Sequence, residues 1–115
     1  MYAPMVESME KVGSVPIGDH HVAVLFDNIV SAGSVQYAFI LAVYAAETQK
    51  AVYFVASEVN AMASVFGGGS HFLGVFDGGR HLNMGASDEW ANLEKFYARA
   101  LQIATDHVNA ATDAD

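Results

Sequence analysis

The sequence predicts an α+β domain: one antiparallel sheet of about five strands, in the element order α-βββ-α-ββ-α, with a long amphipathic C-terminal helix packed on one face. Three observations carry this. The run Val35 to Ala46 holds a single polar side chain, Gln36, and no polar/apolar alternation, as expected of a mid-sheet strand covered on both sides. Asp77-Gly78-Gly79-Arg80 is a hairpin signal, because a Gly-Gly loop supplies the positive φ values that a two-residue type I′ turn requires. Trp90, Leu93, Tyr97, Ala100, Leu101, Ala104 and Val108 recur at three- and four-residue spacing, the stripe of a helix with one buried face.

The elements follow in order. Pro4 to Val12 reads as a short helix or a loose arm, with Met5, Met9 and Val12 on one stripe and Gly13 as its stop. His21 to Phe26 is the first strand, rich in Val and aromatic residues. Ser31-Ala32-Gly33-Ser34 turns the chain into the apolar run, Glu47 to Lys50 turns it again, and Ala51 to Val59 is the third strand. Asn60 to Phe66 is a helical turn or two, ended by Gly67-Gly68-Gly69. Ser70 to Phe76 and His81 to Gly85 form the hairpin. Ser87 caps the long helix, with Asp88 and Glu89 in its first turn where the dipole favours negative charge, and the helix runs to about Val108. Residues 109–115 form an acidic tail expected to fray.

Composition narrows the function classes. A chain of 115 residues is expected to form a single domain, 1–115. Five Lys and Arg against thirteen Asp and Glu leave a net charge of −8, which disfavours nucleic acid and anionic membranes as partners. The absence of Cys excludes disulfides, thiol nucleophiles and Cys-based zinc sites. Glu7 and Glu10 stand where a signal peptide would carry basic residues, and the apolar run is too short to span a bilayer as a helix, so a cytoplasmic location is expected.

If the turn at Thr48-Gln49 is tight, Tyr44 pairs with Tyr53 and the strand faces sort by size. Val22, Val24, Phe26, Phe39, Leu41, Val43, Val52 and Phe54 make a bulky face suited to the helix. Ala38, Ile40, Ala42, Tyr44 and Tyr53 fall on a flatter, Ala-rich face edged with tyrosine. One helix cannot cover both faces, so this second face is expected to be a homodimer seam, unless the N-terminal segment folds over it with Met5, Met9 and Val12.

The densest polar stretch is His71 to Gly85. With Gly78-Gly79 as the loop, Asp77 opposes Arg80 and Phe76 opposes His81, so His71 and His81 point to opposite faces and cannot share an ion; no metal site and no cofactor are expected. Phe72, Phe76, His81 and Asn83 gather around Gly74, whose missing side chain leaves room for a ligand ring or another backbone. His81 is a candidate acid or base, although no nucleophile stands at a recognisable spacing, so no catalytic residue is assigned. Glu58 reads as a carboxylate at the core edge, paired with Lys or Arg. Gly67-Gly68-Gly69 lacks the Lys-Ser/Thr of a phosphate loop and reads as a flexible turn.

The element order, more than any motif, is similar to that of small acidic secretion-chaperone-like domains, and that resemblance implies a dimer that binds other polypeptides. The expected function is therefore a small acidic dimeric protein-interaction module, adaptor- or chaperone-like and without catalysis. The alternative is a small-molecule-binding domain or enzyme with a pocket formed by Phe72, Gly74, Phe76, His81 and Asn83.

Overall fold

The computed structural model describes residues 3–113. Six antiparallel strands, β1 (Val6–Ile17), β2 (His21–Ser31), β3 (Tyr37–Ala45), β4 (Ala51–Val59), β5 (His71–Asp77) and β6 (Arg80–Ser87), form one sheet in the order β1-β2-β3-β4-β5-β6. The one-turn helix α1 (Ala63–Phe66) bridges β4 and β5, and α2 (Leu93–Asp113) follows β6 after a 3₁₀ turn at Asp88–Ala91. The α+β class and the single antiparallel sheet stand as expected, with one more strand than the sequence suggested.

That extra strand replaces the N-terminal helix. β1 pairs along its length with β2, and the pairing slips between Val6 and Ser8, between Ser8 and Glu10, and between Lys11 and Gly13. Each bulge breaks the two-residue alternation of a strand, which is why Met5, Met9 and Val12 imitate a helical stripe. Gly18, at φ 62°, closes the hairpin between Ile17 and His21. The predicted acidic tail is helical through Asp113, and the two final residues lie outside those described.

The predicted long helix is interrupted. Ser87 caps the 3₁₀ turn, its hydroxyl accepting from the Glu89 amide at 3.1 Å. Asn92 is extended (φ −98°, ψ 124°), and its Oδ1 accepts from the Lys95 amide at 3.1 Å, so the true N-cap of α2 is Asn92. This break separates Trp90 from α2, while Ala100, Ala104 and Val108 are buried as expected and Phe96 joins them. The buried stripe is Phe96, Ala100, Ala104 and Val108, a row at i, i+4 spacing, with Leu93, Tyr97, Leu101 and Ile103 half-buried beside it. The small residues let the helix lie close to the sheet while Phe96, fully buried, packs its ring 5.6 Å from that of Phe39.

The face beneath α2 is the expected one for Phe39, Leu41 and Val43 of β3, and the opposite one for β2 and β4. Leu41, Val43, Tyr53, Val55, Leu73 and Val75 lie there with Ala23 and Leu25, whereas Val22, Val24 and Phe26 pair with Tyr44, Ala42 and Ile40 on the opposite, open face. Both neighbours of β3 pair one residue out of the expected register, and a one-residue slip moves every side chain of a strand to the other side of a sheet. For β4 the source is the β3–β4 connection. Ala45 and Lys50 are joined by a backbone bond of 3.0 Å, Gln49 takes φ 56°, and the register shifts again between Val43 and Tyr44. Val43, not Tyr44, therefore opposes Tyr53.

The open face has a partial cover of its own. Ile40, Ala56 and Phe76 are buried there by Val6 and Met9 of β1, Ile29 of β2, Tyr37 and Phe54. For the first strand to reach residues of the third, fourth and fifth, the sheet must coil, and the bulges of β1 supply the added twist. Among the described residues, no helix is long and apolar enough to cross a membrane.

Candidate functional site

The β5–β6 hairpin follows its sequence signal. Asp77 opposes Arg80, Phe76 opposes His81, Val75 opposes Leu82 and Gly74 opposes Asn83. Of the two loop glycines only Gly78 takes a positive φ, 61°, so the loop lacks the second positive φ of a type I′ turn. The ladder continues on the other side of β5, where Phe76, Gly74 and Phe72 oppose Phe54, Ala56 and Glu58. Val75 and Leu82 turn to one face, whereas Phe54, Ala56, Glu58, Phe72, Phe76 and His81 share the other, open face.

Across this face, two polar groups from non-adjacent strands meet over a glycine. Glu58 lies one pleat beyond Ala56 on β4, and His81 one pleat before Asn83 on β6. They reach diagonally across Gly74, and His81 Nε2 donates to Glu58 Oε2 at 2.8 Å. A β-carbon built on Gly74 would stand 1.6 Å from Glu58 Oε2 and 3.0 Å from His81 Nε2. The glycine makes room for the carboxylate itself. The sequence left that space for a ligand ring, and the structure corrects this.

The imidazole is held on both sides. Its ring stacks on Phe76 at 4.3 Å with 9° between the planes, and Phe76 in turn takes Phe54 edge-on at 6.4 Å. Because the carboxylate accepts, Nε2 carries a proton. Glu58 is only 7% exposed, while the His81 side chain is 38% exposed. Oε2 is the only Glu58 oxygen that accepts a hydrogen bond among the described residues. No buried side-chain oxygen or nitrogen among them lacks a partner, so Oε1 keeps contact with solvent.

Glu58 also lines a cleft of about 300 Å³ between the loop before β3 and the ends of β4 and β5, with Val35, Gln36, Val59, Ala61 and Phe72 in its walls. Tyr37, which opposes Glu58 on β3, has its hydroxyl pKa raised by burial first and then by the Glu58 carboxylate, against a hydrogen bond from the Met5 backbone. Glu58 thus lies in an environment poor in water, where charge acts at longer range than at the surface.

The other sequence candidates fall elsewhere. Asn83 is exposed and turns its Oδ1 to the Gly85 amide at 2.8 Å, stabilising the bulge where Gly85 takes φ 106°. Phe72 belongs to the cleft rather than to the His81 stack. His71 lies on the helix face, its Nδ1 2.7 Å from Ser70 Oγ, and its pKa is lowered by burial despite the opposing pull of Asp88. Among the described residues, no three His, Asp or Glu side chains converge as metal ligands.

Of the residues expected at a dimer seam, Ile40, Ala42 and Tyr44 share the open face and Tyr53 does not. Ile40 and Ala42 are buried on the open face, with Ala38 and Tyr44 half-buried. Tyr53 lies under α2, stacked on His107 at 3.9 Å. Glu58 is the residue that sequence reasoning misplaced: it pairs with His81 rather than with Lys or Arg. Its signal was a lone acid at the end of an otherwise apolar strand, two strands from a lone histidine, with a glycine between them.

The site therefore consists of a buried carboxylate, an imidazole oriented by it, and an adjoining apolar cleft. No family model, curated protein or solved structure matches this chain.

Proposed function

We propose that this chain is a small-molecule-binding domain whose site is the Glu58–His81 pair and the cleft beside it. The observation that carries the reading is the arrangement over Gly74. A glycine in a strand interior weakens the strand. A buried ionic pair is seldom more stable than apolar residues of the same volume. Here both occur together, the carboxylate lines a cleft, and the fold gains nothing in stability that an apolar residue could not supply. Such local costs gather at working sites. The pair orients the imidazole, whose side chain is 38% exposed, an arrangement that suits hydrogen bonding or proton exchange with a bound molecule. An NMR screen of small molecules against the full chain tests this. Shifts clustering at Glu58, Phe72 and His81, and abolished in Glu58→Gln, support the reading; a screen in which no compound moves these residues refutes it.

A second reading, a dimeric protein-interaction module, is favoured by a different part of the open face. Beyond the patch covered by β1, a cleft of about 470 Å³ runs between Lys11, Val22, Val24, Tyr44 and Gln49, and Val52 nearby is 38% exposed. Partly exposed apolar side chains gathered on a sheet mark an association surface. Sedimentation at micromolar concentration decides it. A mass twice the 12.3 kDa of the chain, falling to the single mass in Val24→Lys, supports the module, and a monomer in the unaltered protein rules it out.

A further inference from the structure

We propose that the cleft beside Glu58 takes a small organic cation, a primary ammonium group on a compact apolar body; this inference rests on the proposed ligand-binding role of the site. The argument starts from the unused oxygen. Glu58 is nine-tenths buried, Oε2 is committed to His81, and Oε1 has no partner among the described residues. A carboxylate oxygen can only accept, so the group that completes it must be a donor, and a charged donor makes the stronger bond in such surroundings.

The rest of the cleft agrees. Val35, Val59 and Ala61 offer apolar walls, Phe72 offers an aromatic ring, and neither Lys nor Arg lines it. An ammonium against an aromatic ring gains a cation–π contribution in addition to its ion pair. The volume, about 300 Å³, lies at the small end of the range for ligand sites and suits one ring or a short branched chain. The net charge of −8 draws cations in and repels carboxylates and phosphates. A divalent metal ion is a poor fit, because such ions need several oxygen ligands and the cleft presents one carboxylate whose other oxygen is already bonded to His81. His81 acts here as a positioning residue: by holding Oε2 it leaves Oε1 for the ligand.

The experiment is an NMR titration of the full chain at neutral pH with three probes of one shape: benzylamine, benzyl alcohol and benzoate. Benzylamine is expected to shift Val59, Ala61 and Phe72, to bind roughly tenfold or more tightly than benzyl alcohol, and to weaken as salt is added. Benzoate is expected not to bind. Glu58→Gln should erase the preference of amine over alcohol. Ala61→Phe, at an exposed loop position in the cleft wall, should block all three probes without disturbing the buried pair. If benzyl alcohol or benzoate binds as tightly as the amine at these residues, the ligand class is wrong while the binding site stands. If none of the probes moves these residues, the cation proposal falls, and the proposed site then depends on the wider screen alone.

Discussion

Substitution of Gly74 by Ala should be among the most damaging single-methyl changes available to this protein. The new carbon would stand 1.6 Å from Glu58 Oε2 and 2.7 Å from Glu58 Cδ, so the carboxylate must leave its place. It has little room to do so, because Glu58 lies between Tyr37 on one side and Phe72 on the other and is only 7% exposed. Moving it breaks the 2.8 Å bond to His81 and strands a carboxylate in the sheet. Breaking a buried pair in this way costs about 3–5 kcal/mol, and some escape of the carboxylate into the cleft lowers the expected loss to about 2–4 kcal/mol. For a domain of this size that is a fall in Tm of roughly 10 °C. Urea unfolding followed by circular dichroism measures it. The decisive comparison is a double-mutant cycle. In a Glu58→Ala background the two closest clashes are gone and the nearest remaining contact is His81 Nε2, at 3.0 Å, whose ring sits on an edge strand and can yield. Gly74→Ala should therefore cost almost nothing there, a coupling of about 2 kcal/mol or more. If Gly74→Ala is neutral alone, or if the two losses simply add, Gly74 is not there to house the carboxylate.

Three further outcomes follow from the packing and the titrating groups. Phe96→Ala should cost about 3–5 kcal/mol through the cavity it leaves, and Trp90→Ala clearly less, because Phe96 is fully buried while Trp90 is half-buried on the 3₁₀ turn; equal urea midpoints for the two variants would contradict the observed helical phase. Tyr53 has its pKa pushed up to about 12 by burial and by the Asp77 carboxylate. Its neutral form therefore stabilises the fold fully below the ordinary tyrosine value near 10, and that contribution is lost as pH rises from there to about 12; Tyr53→Phe should flatten the fall of Tm over this alkaline window. His71 is shifted the other way, its pKa lowered by burial, so the unfolded chain takes the proton first and stability declines as pH falls below about 6.5; His71→Gln should remove part of that acid dependence in a Tm-against-pH series.

What the sequence disclosed depended on whether local chemistry fixed the geometry. Gly78-Gly79 admits few loops, so the pairing from Asp77–Arg80 to Gly74–Asn83 was legible, and with it the separation of His71 from His81 onto opposite faces. β4 is bounded by turn residues and spans Ala51–Val59 as read. The β3–β4 loop carries no such marker. Gln49 enters a positive φ that any of several residues could have taken, and the resulting slip turned β4 over relative to β3 and carried Tyr53 away from the rest of the expected seam. Asn92 is an ordinary polar residue in sequence, yet it ends one helical segment and caps the next, which separates Trp90 from α2 and leaves Phe96 to lead a stripe whose Ala100, Ala104 and Val108 were read correctly. The Glu58–His81 pair was hidden for a different reason. Its partners lie 23 residues apart on strands that do not touch, and only the correct register of three strands brings them over the same glycine.

The placement of α2 has a consequence for how the protein is made. Every strand joins its neighbour in sequence, so the sheet can be laid down hairpin by hairpin as the chain leaves the ribosome. Its helix face cannot be finished that way. Leu41, Val43, Val55 and Leu73 are covered by Phe96, Ala100 and Ala104, residues synthesised only after the whole sheet. Until they arrive, the nascent protein presents an apolar surface beside the free edge of β6, the combination that invites pairing with other chains. A sheet completed before α2 docks would thus still be sticky, and the interval before α2 covers it is the one in which chaperone protection matters most.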